Sequence, residues 1–479
     1  MFEYWYASRP TPESAALLDR VRYAARTEAR AAAQRLVAIG ELFVLRCRDS
    51  GERADWATDT WEAVAAQVAA ALQCSVSMGS SYLRYAMVMR DRLPEVGKAF
   101  QAGDIDYRAF QTIVFRTELI TDADVMAKVD AQLAALLSRR PSITRGGLAA
   151  AVDQVVAKVD RDAVRRAAKA AQDRHVDVIA DQSGMAWVEA SVFATAGQAL
   201  DRRLDELSAT VCDADPRSRA QRRADALGAL AAGAEQLVCG CGSADCHKAT
   251  PTHRSNVVIH VIAEQSTVDG TGTTPGVLPG HEGLIPAELI AELAKSATLQ
   301  PLIPPAGAEP HYTPSAKLAA YVRARDLTCR APGCDRPATH CDIDHTIPHA
   351  AGGATHPSNL KCLCRLHHLL KTFWGWCDQQ LPDGTVIWTL PDGHTYVTTP
   401  GSALLFPTLC ALTGDAPTTA RRIDRCGDRT AMMPLRTATR AQNRAHRIAT
   451  ERRHNRLSRQ DAGPIMAAAP RGPEEPPPF

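Results

Sequence analysis

Apolar residues recur every three or four positions through most of the first 170 residues, which is the period of amphipathic α-helices. Thr11 and Pro12 suit the N-cap and first position of a helix that runs to about residue 46. Turn signals separate further predicted helices, at 61–72, 80–92, 107–116, 123–138 and 144–172. The pair over 61–92 also fits a helix-turn-helix that contacts DNA, although such pairs are more often plain bundle packing. The pattern predicts a helical domain over residues 1–174.

The pattern changes at His175, where apolar and polar residues begin to alternate. Alternation in "HVDVIAD" and "MAWVEASV", on either side of a Ser-Gly turn, predicts a β-hairpin. Helical periodicity returns over 194–209 and 218–237, and "SNVVIHVIAEQ" at 255–265 is typical of a short strand. Residues 175–298 are therefore predicted to be an α+β continuation of the N-terminal domain.

A Pro-rich stretch at 299–314 shows neither the helical nor the strand pattern of apolar residues. It predicts a linker or an extended strap. A domain over 315–405 follows, and "GTVIWTL" and "HTYVTT" around an Asp-Gly turn predict a second hairpin within it. Trp374, Trp376 and Trp388 are expected to pack this hairpin on the preceding helix rather than to stack on bases.

Composition supports a globular chain of two or three domains, because 479 residues with 45% hydrophobic and 23% charged side chains can bury a substantial core. We find no basic leader with an apolar run and no stretch of about 18 apolar residues, so we expect a cytoplasmic protein with no membrane partner. Most of the fourteen cysteines fall within 239–246 and 329–377, which favours metal ligation over a disulfide framework.

The net charge of +2 conceals a basic segment at 421–459, which contains twelve arginines and only three acidic residues. Arg436, Arg440, Arg444 and Arg447 recur at helical spacing, which would align guanidinium groups to meet phosphates. The alternative is a solvated, largely disordered Arg-rich tail over 406–479.

The first cysteine cluster has the spacing C-x-C-x4-C-H, formed by Cys239, Cys241, Cys246 and His247. This spacing permits a small zinc site, which would be structural because no acid or base accompanies these residues. The alternative is a set of surface thiols in a tight Gly-rich loop.

The second cluster contains two pairs of potential zinc ligands that together complete a closed structural shell. These ligands are Cys329, Cys334, Cys364 and His367. Such a shell can hold a small segment that has too few apolar residues to fold by burial alone. Two nearby thiols, Cys341 and Cys362, could compete as ligands but are expected to be packed side chains.

The polar residues that remain predict a second, open metal site. His368 follows the zinc ligand His367 on a helix, so the two imidazoles project about 100° apart and serve different sites. Asp344 from an extended stretch and His368 from the helix suit a divalent ion. His345 would be left free as a base, and Asn359 could hold His345 or the loop.

The order Asp-His, Asn and Cys-x-x-His-His with a following Lys resembles the HNH (ββα-metal) nuclease motif. The segment "YTPSAKLAAYVRARDLTCRAPGCDRPATHCDIDHTIP" further resembles the 13E12 repeat family, in which an HNH segment follows a long helical domain of unknown function. The resemblance covers about residues 11–401. Together with the patterns above, the resemblance implies a multidomain chain with a mainly α N-terminal region, a mixed α+β middle and a small zinc-stabilised ββα-metal domain near the C-terminus.

The resemblance implies a metal-dependent endonuclease that hydrolyses phosphodiester bonds in DNA. His345 would be the general base, and Asp344 and His368 would bind Mg²⁺ or Mn²⁺, with Zn²⁺ as a third candidate. Asn359 would orient the base or assist at the metal. The family pattern often has Cys where His367 stands, which leaves open whether His367 or His368 occupies each role.

Basic residues around the motif could pair with flanking phosphates, although each also fits a solvated surface charge. These residues are Lys361, Arg365 and Lys371. The alternative function is a zinc-stabilised nucleic-acid-binding protein whose nuclease motif is inactive or vestigial.

Overall fold

The computed structural model describes residues 11–139, 143–164, 175–180, 185–248, 259–279, 284–295, 297–305, 307–414 and 433–461. Within these residues the protein is mainly helical, with small antiparallel sheets in the middle and C-terminal regions.

The N-terminal region contains the predicted helices, most of which begin at a residue whose side chain caps them. Thr11 forms a capping box with Ser14, and Asp59 accepts a hydrogen bond from the backbone of Glu62. The helices are α1 Pro12–Ser50, α2 Thr60–Leu72, α3 Val76–Asp91, α4 Pro94–Ala102, α5 Tyr107–Thr117, α6 Ala123–Arg139 and α7 Arg145–Val159. The sequence pattern missed α4. It also carried α7 to residue 172, although residues 165–174 lie outside the described part of the chain.

Helices α2 and α3 pack as core elements of the helical bundle. A Cβ at Gly79 would lie 2.2 Å from the carbonyl oxygen of Ala65, so only glycine permits this close crossing. Val64 and Leu83 are fully buried in the same core. This arrangement favours bundle packing over DNA contact for the pair. Among the described helices, none is long and apolar enough to cross a membrane, and α2 and α3 pass that test only when joined across a 110° bend.

The middle region contains the predicted hairpin, in which Val178 lies opposite Val188. The elements are β1 His175–Ala180, β2 Ala186–Ser191, α8 Ala194–Ser208, α9 Arg219–Ala231, α10 Gln265–Val268, β3 Gly276–Val277, β4 Leu284–Ile285 and α11 Ala287–Ala294. The strand predicted at 255–265 lies partly outside the described residues, and its described part makes a single bridge between Ile262 and Val277.

The C-terminal region begins with α12 and continues as two short strands followed by a helix. The elements are α12 Ala316–Asp326, β5 Asp342–His345, β6 Leu360–Leu363, α13 Arg365–Phe373, β7 Cys377–Gln380, β8 Val386–Thr389 and β9 Thr395–Thr398. We call β5, β6 and α13 the ββα unit. The predicted hairpin is β8–β9. The sequence pattern missed β7, which pairs with β8 and extends the hairpin to a three-stranded sheet.

Tryptophans join these elements, as their predicted packing role requires. Trp376 and Trp388 are fully buried and meet edge to face at 6.0 Å between ring centroids. Trp374, just after α13, donates from Nε1 to the carbonyl oxygen of Thr58 at 3.1 Å and meets Trp56 edge to face. The end of the ββα unit therefore rests on the N-terminal region.

The structure differs from the disordered tail predicted for 406–479. Its described end, residues 433–461, contains α14 Arg440–Asp461. Arg436 bridges to Asp59 at 3.1 Å, and Arg452 bridges to Asp160 at 2.7 Å. These arginines thus neutralise acidic side chains of the helical bundle, which lie hundreds of residues earlier in the sequence. Residues 415–432 and 462–479 lie outside the described part of the chain.

Candidate metal centres and active site

The four predicted ligands of the second cysteine cluster meet at one point, where their ligand atoms all lie within 4.8 Å of one another. Nδ1 of His367 lies 3.2 Å from Sγ of Cys364 and 3.6 Å from Sγ of Cys329. Sγ of Cys334 lies 3.9 Å from Sγ of Cys364. A cluster with three thiols and one imidazole could hold a metal ion such as zinc.

Local structure explains how the first pair of ligands is presented. Gly333, between Cys329 and Cys334, has a φ of 70°, which suits glycine. A Cβ there would lie 2.8 Å from the carbonyl oxygen of Cys74 and 3.0 Å from that of Ala69. The ligand turn therefore sits directly against the end of α2.

The second pair is presented by the start of α13, where the backbone N–H of Cys364 donates to Sγ of Cys329. Burial raises the pKa of Cys329 well above its usual range, whereas hydrogen bonds from the Cys329 and Cys334 thiols hold the pKa of Cys364 well below it. The thiols therefore share protons that a metal ion would displace. Cys341 and Cys362 stay outside the ligand group and are buried, as predicted for packed side chains.

A second group of polar side chains links strand β5 to helix α13. Oδ1 of Asp344 lies 3.5 Å from Nε2 of His368, and Oδ2 of Asp342 lies 3.0 Å from Nδ1 of the same ring. The Asp342 carboxylate can only accept a hydrogen bond, so Nδ1 of His368 is the donor. The other ring nitrogen, Nε2, faces Asp344. A proton or a metal ion between Nε2 and Oδ1 of Asp344 would join the two side chains.

The other oxygen of Asp344 is held by two buried ammonium groups. Nζ of Lys361 lies 2.7 Å from Oδ2, and Nζ of Lys371 lies 2.6 Å from it. Both lysines also pair with Asp378, at 2.5 and 3.2 Å. Burial opposes ionisation of Asp344, but the two ammonium groups outweigh it and hold its pKa well below the usual range.

These contacts overturn part of the predicted phosphate-binding set. Lys361 and Lys371 are buried inside the fold, where Asp344 and Asp378 neutralise them, so they do not face solvent or a polyanion. The physical reason is that a buried carboxylate pair requires cations beside it. Arg365 remains exposed, 3.8 Å from Asp342, and is the member of the set that can reach a phosphate.

The ring of His345 is fixed by a chain of two hydrogen bonds. Its Nε2 lies 2.9 Å from Oγ1 of Thr355, and that hydroxyl donates to the carbonyl oxygen of His311 at 2.6 Å. A hydroxyl has one proton to donate, so Nε2 of His345 must be the donor to Thr355. Nδ1 of His345 is then the unprotonated nitrogen.

The Pro-rich stretch predicted as a linker covers this histidine as a strap. Glu309 pairs with Thr355 through an isolated bridge, and Tyr312 stacks on His345 with 5.2 Å between ring centroids. His349 meets the same ring edge to face at 5.8 Å. Burial is the main reason why the pKa of His345 is lowered to about 4, so the ring is neutral near pH 7.

Asn359 holds the loop between the two strands and contacts neither His345 nor the Asp344 pair through the hydrogen bonds of its amide. Its Nδ2 donates to the carbonyl oxygens of Ile347 and Ala354, and its Oδ1 accepts from the backbone of Ile347. Of the predicted roles, the structure selects the loop, because both N–H groups and the oxygen of the Asn359 amide bond to it.

The first cysteine cluster brings together a different set of ligands from the one predicted. Cys239, Cys241 and Cys246 converge with Cys212. The neighbouring His247 lies outside this group of ligand atoms. Cys212 lies 27 residues before Cys239, at a spacing that no short motif covers.

Comparison with known proteins identifies the N-terminal two thirds of the chain. The model of a family described as a domain of unknown function, DUF222, matches residues 23–326. The chain belongs to the DUF222 family. The DUF222 match ends at the last residue of α12, before both the Cys3His cluster and the ββα unit.

Relatives of this DUF222 protein occur in Mycobacterium tuberculosis. The uncharacterized protein Rv3776 of strain H37Rv is 43% identical over 92% of this chain and 90% of its own length. The uncharacterized protein Rv2100 of the same strain is 43% identical over 92% of this chain and 88% of its own length. No solved structure matches the chain significantly.

Sequence reasoning missed several residues that complete the candidate site. Asp342 lies two residues before Asp344 in β5, so the two side chains share one face of the strand. The two-residue repeat of a strand could therefore have predicted Asp342 as part of the site. Thr355 and Tyr312 gave no sequence signal, since their roles depend on the strap lying over His345. The buried partner Asp378 lies on β7, a strand that the pattern did not predict.

Proposed function

We propose that this chain is a metal-dependent HNH endonuclease that hydrolyses phosphodiester bonds in DNA. The proposal rests above all on the convergence of Asp344 Oδ1 and His368 Nε2, which lie 3.5 Å apart across the ββα unit. Ligand bonds of about 2.1 Å bring two donor atoms to roughly this separation around one ion.

The donor set fits a divalent ion. Asp342 accepts from Nδ1 of His368, which is the carboxylate–histidine arrangement that orients metal-bound imidazoles in proteins. Asp344 is ionised and needs no proton removed before it binds. One carboxylate and one imidazole suit Mn²⁺ or Zn²⁺ as well as Mg²⁺, because imidazole is a borderline ligand. When bound, the ion would act as a Lewis acid on a phosphoryl oxygen.

His345 would be the general base that accepts a proton from water at Nδ1. Thr355 supports this role because it fixes the tautomer, and the lowered pKa keeps the ring neutral. Asn359 would act indirectly, since it fastens the loop between β5 and β6, which carries His349 and Thr355. Arg365 would meet a flanking phosphate from the start of α13.

A second candidate is a zinc-stabilised nucleic-acid-binding protein without cleavage. Two observations favour it. Lys361 and Lys371 already neutralise Asp344, which weakens its attraction for a cation. Tyr312 stacks on His345, and this histidine is only 5% exposed, which limits the access of water to the proposed base.

The experiment is cleavage of supercoiled plasmid by the full chain with Mg²⁺, Mn²⁺ or EDTA. His345→Ala removes the proposed base, and His394→Ala is the matched control because His394 is exposed on the C-terminal sheet connection. We expect the wild type and His394→Ala to cut only with metal, and His345→Ala to lose roughly 10²- to 10⁴-fold in rate. Equal cutting by all three proteins refutes the role of His345. DNA binding without cutting favours the second candidate.

A further inference from the structure

The cysteine cluster of the middle region lies where two helices end. Cys212 follows α8, and Cys239, Cys241 and Cys246 lie in the loop after α9. Their four sulfur atoms all lie within 4.8 Å of one another, and those of Cys212 and Cys239 are 3.4 Å apart. Such convergence of four thiols matches the size of a tetrahedral thiolate shell, in which each metal–sulfur bond is about 2.3 Å.

Backbone hydrogen bonds fold the loop around its sulfur atoms. The N–H of Cys239 donates to the carbonyl oxygen of Lys248 at 2.8 Å, and the N–H of Cys246 donates to the carbonyl oxygen of Ser243 at 3.2 Å. Gly242 has a φ of 72°, a left-handed conformation that suits glycine and turns the chain between Cys241 and Ser243.

A separate ion pair fixes the spacing between the loop and the end of α8. Asp215 accepts from the backbone N–H of Gly240 at 2.8 Å. Arg217 pairs with Asp215 at 2.8 Å and donates to the carbonyl oxygen of Val238 at 2.7 Å. The Asp215–Arg217 pair therefore holds both sides of Cys239 beside Cys212 without using a sulfur atom. This preorganises the cluster before any ion binds.

Hydrophobic burial alone offers little to hold this part of the chain together. The buried core of the cluster contains Val211, Leu237 and Cys239, with other side chains only partly covered. Helix α9 buries Ala226 alone among its described side chains. Segments with so small a core usually need a metal ion or disulfides to stay folded.

We propose that Cys212, Cys239, Cys241 and Cys246 bind a second structural zinc ion, which fastens the loop after α9 to the end of α8. Four thiolates fill all positions of a tetrahedral ion, which leaves none for substrate, so this site is structural. The loaded site carries two net negative charges. Lys248 is placed to offset them, because its Nζ lies 3.4 Å from the carbonyl oxygen of Val211, next to Cys212.

The test is metal analysis of the full chain, purified under reducing conditions without added metal. We expect two zinc ions per wild-type chain, one in Cys212→Ser and one in Cys329→Ser, which lacks a ligand of the Cys3His cluster. Cys377→Ser is the matched control, since this exposed thiol belongs to neither group, and it should keep two ions. His247→Ala should also keep two.

A measurement on the wild type keeps the test valid if a variant misfolds. X-ray absorption at the zinc edge should give an average shell of seven sulfurs to one nitrogen over the two ions, with zinc–sulfur distances near 2.3 Å. A wild-type chain with one zinc ion that Cys212→Ser keeps and Cys329→Ser loses overturns the proposal, as does iron in place of zinc. A disulfide between Cys212 and Cys239, found by mass spectrometry after the same purification, also overturns it. None of these outcomes depends on nuclease activity.

Discussion

The Nε2 atom of His345 lies 2.9 Å from the hydroxyl oxygen of Thr355, which links the proposed base to the strap through the carbonyl oxygen of His311. Because the hydroxyl gives its proton to the carbonyl oxygen of His311, the contact also decides which ring nitrogen of His345 carries hydrogen. A fully buried threonine thus sets the protonation pattern of a histidine ten residues earlier.

We expect Thr355→Val to reduce metal-dependent plasmid cleavage by about 10- to 100-fold, because Nε2 of His345 loses its acceptor and the Nδ1-protonated tautomer becomes accessible. Thr355→Ser keeps the hydroxyl and should retain most of the rate. The measurement is single-turnover cleavage at saturating metal, with metal content and folding checked in each protein. Equal losses in both variants would indicate a packing role for the Thr355 methyl group instead.

Removing Tyr312 should make cleavage more sensitive to acid. Burial lowers the pKa of His345 to about 4, so in the wild type the ring stays neutral down to about pH 5. Tyr312→Ala exposes the ring, and its pKa should rise toward the ordinary value of about 6.5. Below pH 6.5 the variant would then protonate its base, and its rate should fall where the wild-type rate does not.

The check is a pH–rate profile from pH 5 to 8 for the wild type, Tyr312→Ala and Tyr312→Phe. The phenylalanine variant keeps the stacked ring and should follow the wild type. Superimposable profiles for all three would mean that Tyr312 does not control the solvation of His345.

Lys361→Met should destabilise the fold by about 3–5 kcal/mol, because it leaves the buried carboxylates of Asp344 and Asp378 with a single ammonium group between them. Arg365→Ala removes an exposed cation and should cost no more than about 0.5 kcal/mol. Chemical denaturation at pH 7 measures both changes. DNA affinity should respond in the opposite order, with Arg365→Ala weakening binding in a folded protein. A stable Lys361→Met variant with weakened DNA binding would restore the surface role predicted from sequence.

Cys364→Ser should release one metal ion and destabilise the ββα unit, because Cys364 is a proposed ligand in the Cys3His cluster and the N-cap residue of α13. Cys341→Ser changes a buried thiol outside the ligand group and should keep the ion. Hydrogen exchange followed by mass spectrometry, with and without a chelator, should show faster exchange at β5, β6 and α13 in Cys364→Ser. Unchanged metal content in this variant would remove Cys364 from the shell.

Arg436→Ala should lower stability by about 1–2 kcal/mol, because this largely buried guanidinium pairs with Asp59 and Glu62. Arg453→Ala, on the exposed side of α14, should change stability by less than about 0.5 kcal/mol. Thermal unfolding at low and high salt checks both variants. The Arg436 effect should shrink as salt screens the ion pairs. An Arg436→Ala variant that keeps full stability but loses DNA affinity would support the phosphate role.

Local patterns in the sequence were enough to predict most helices, the hairpins of the middle and C-terminal regions and the Cys3His ligands. Periodicity, capping residues and ligand pairs act over a few positions, so a single sequence carries them. The pairing of Asp344 with His368 also follows from strand alternation and helical geometry once the two elements face each other.

Tertiary structure alone decided the features that depend on distant partners. Lys361 and Lys371 are buried counterions because Asp378 on β7 lies beside them. The arginines of the tail form ion pairs with the helical bundle because Asp59 and Asp160 lie within reach. Cys212 joined the first cysteine cluster across 27 residues, in place of the adjacent His247. Charge pairing and ligand convergence depend on distance in space, and the chain order of these residues does not encode that distance.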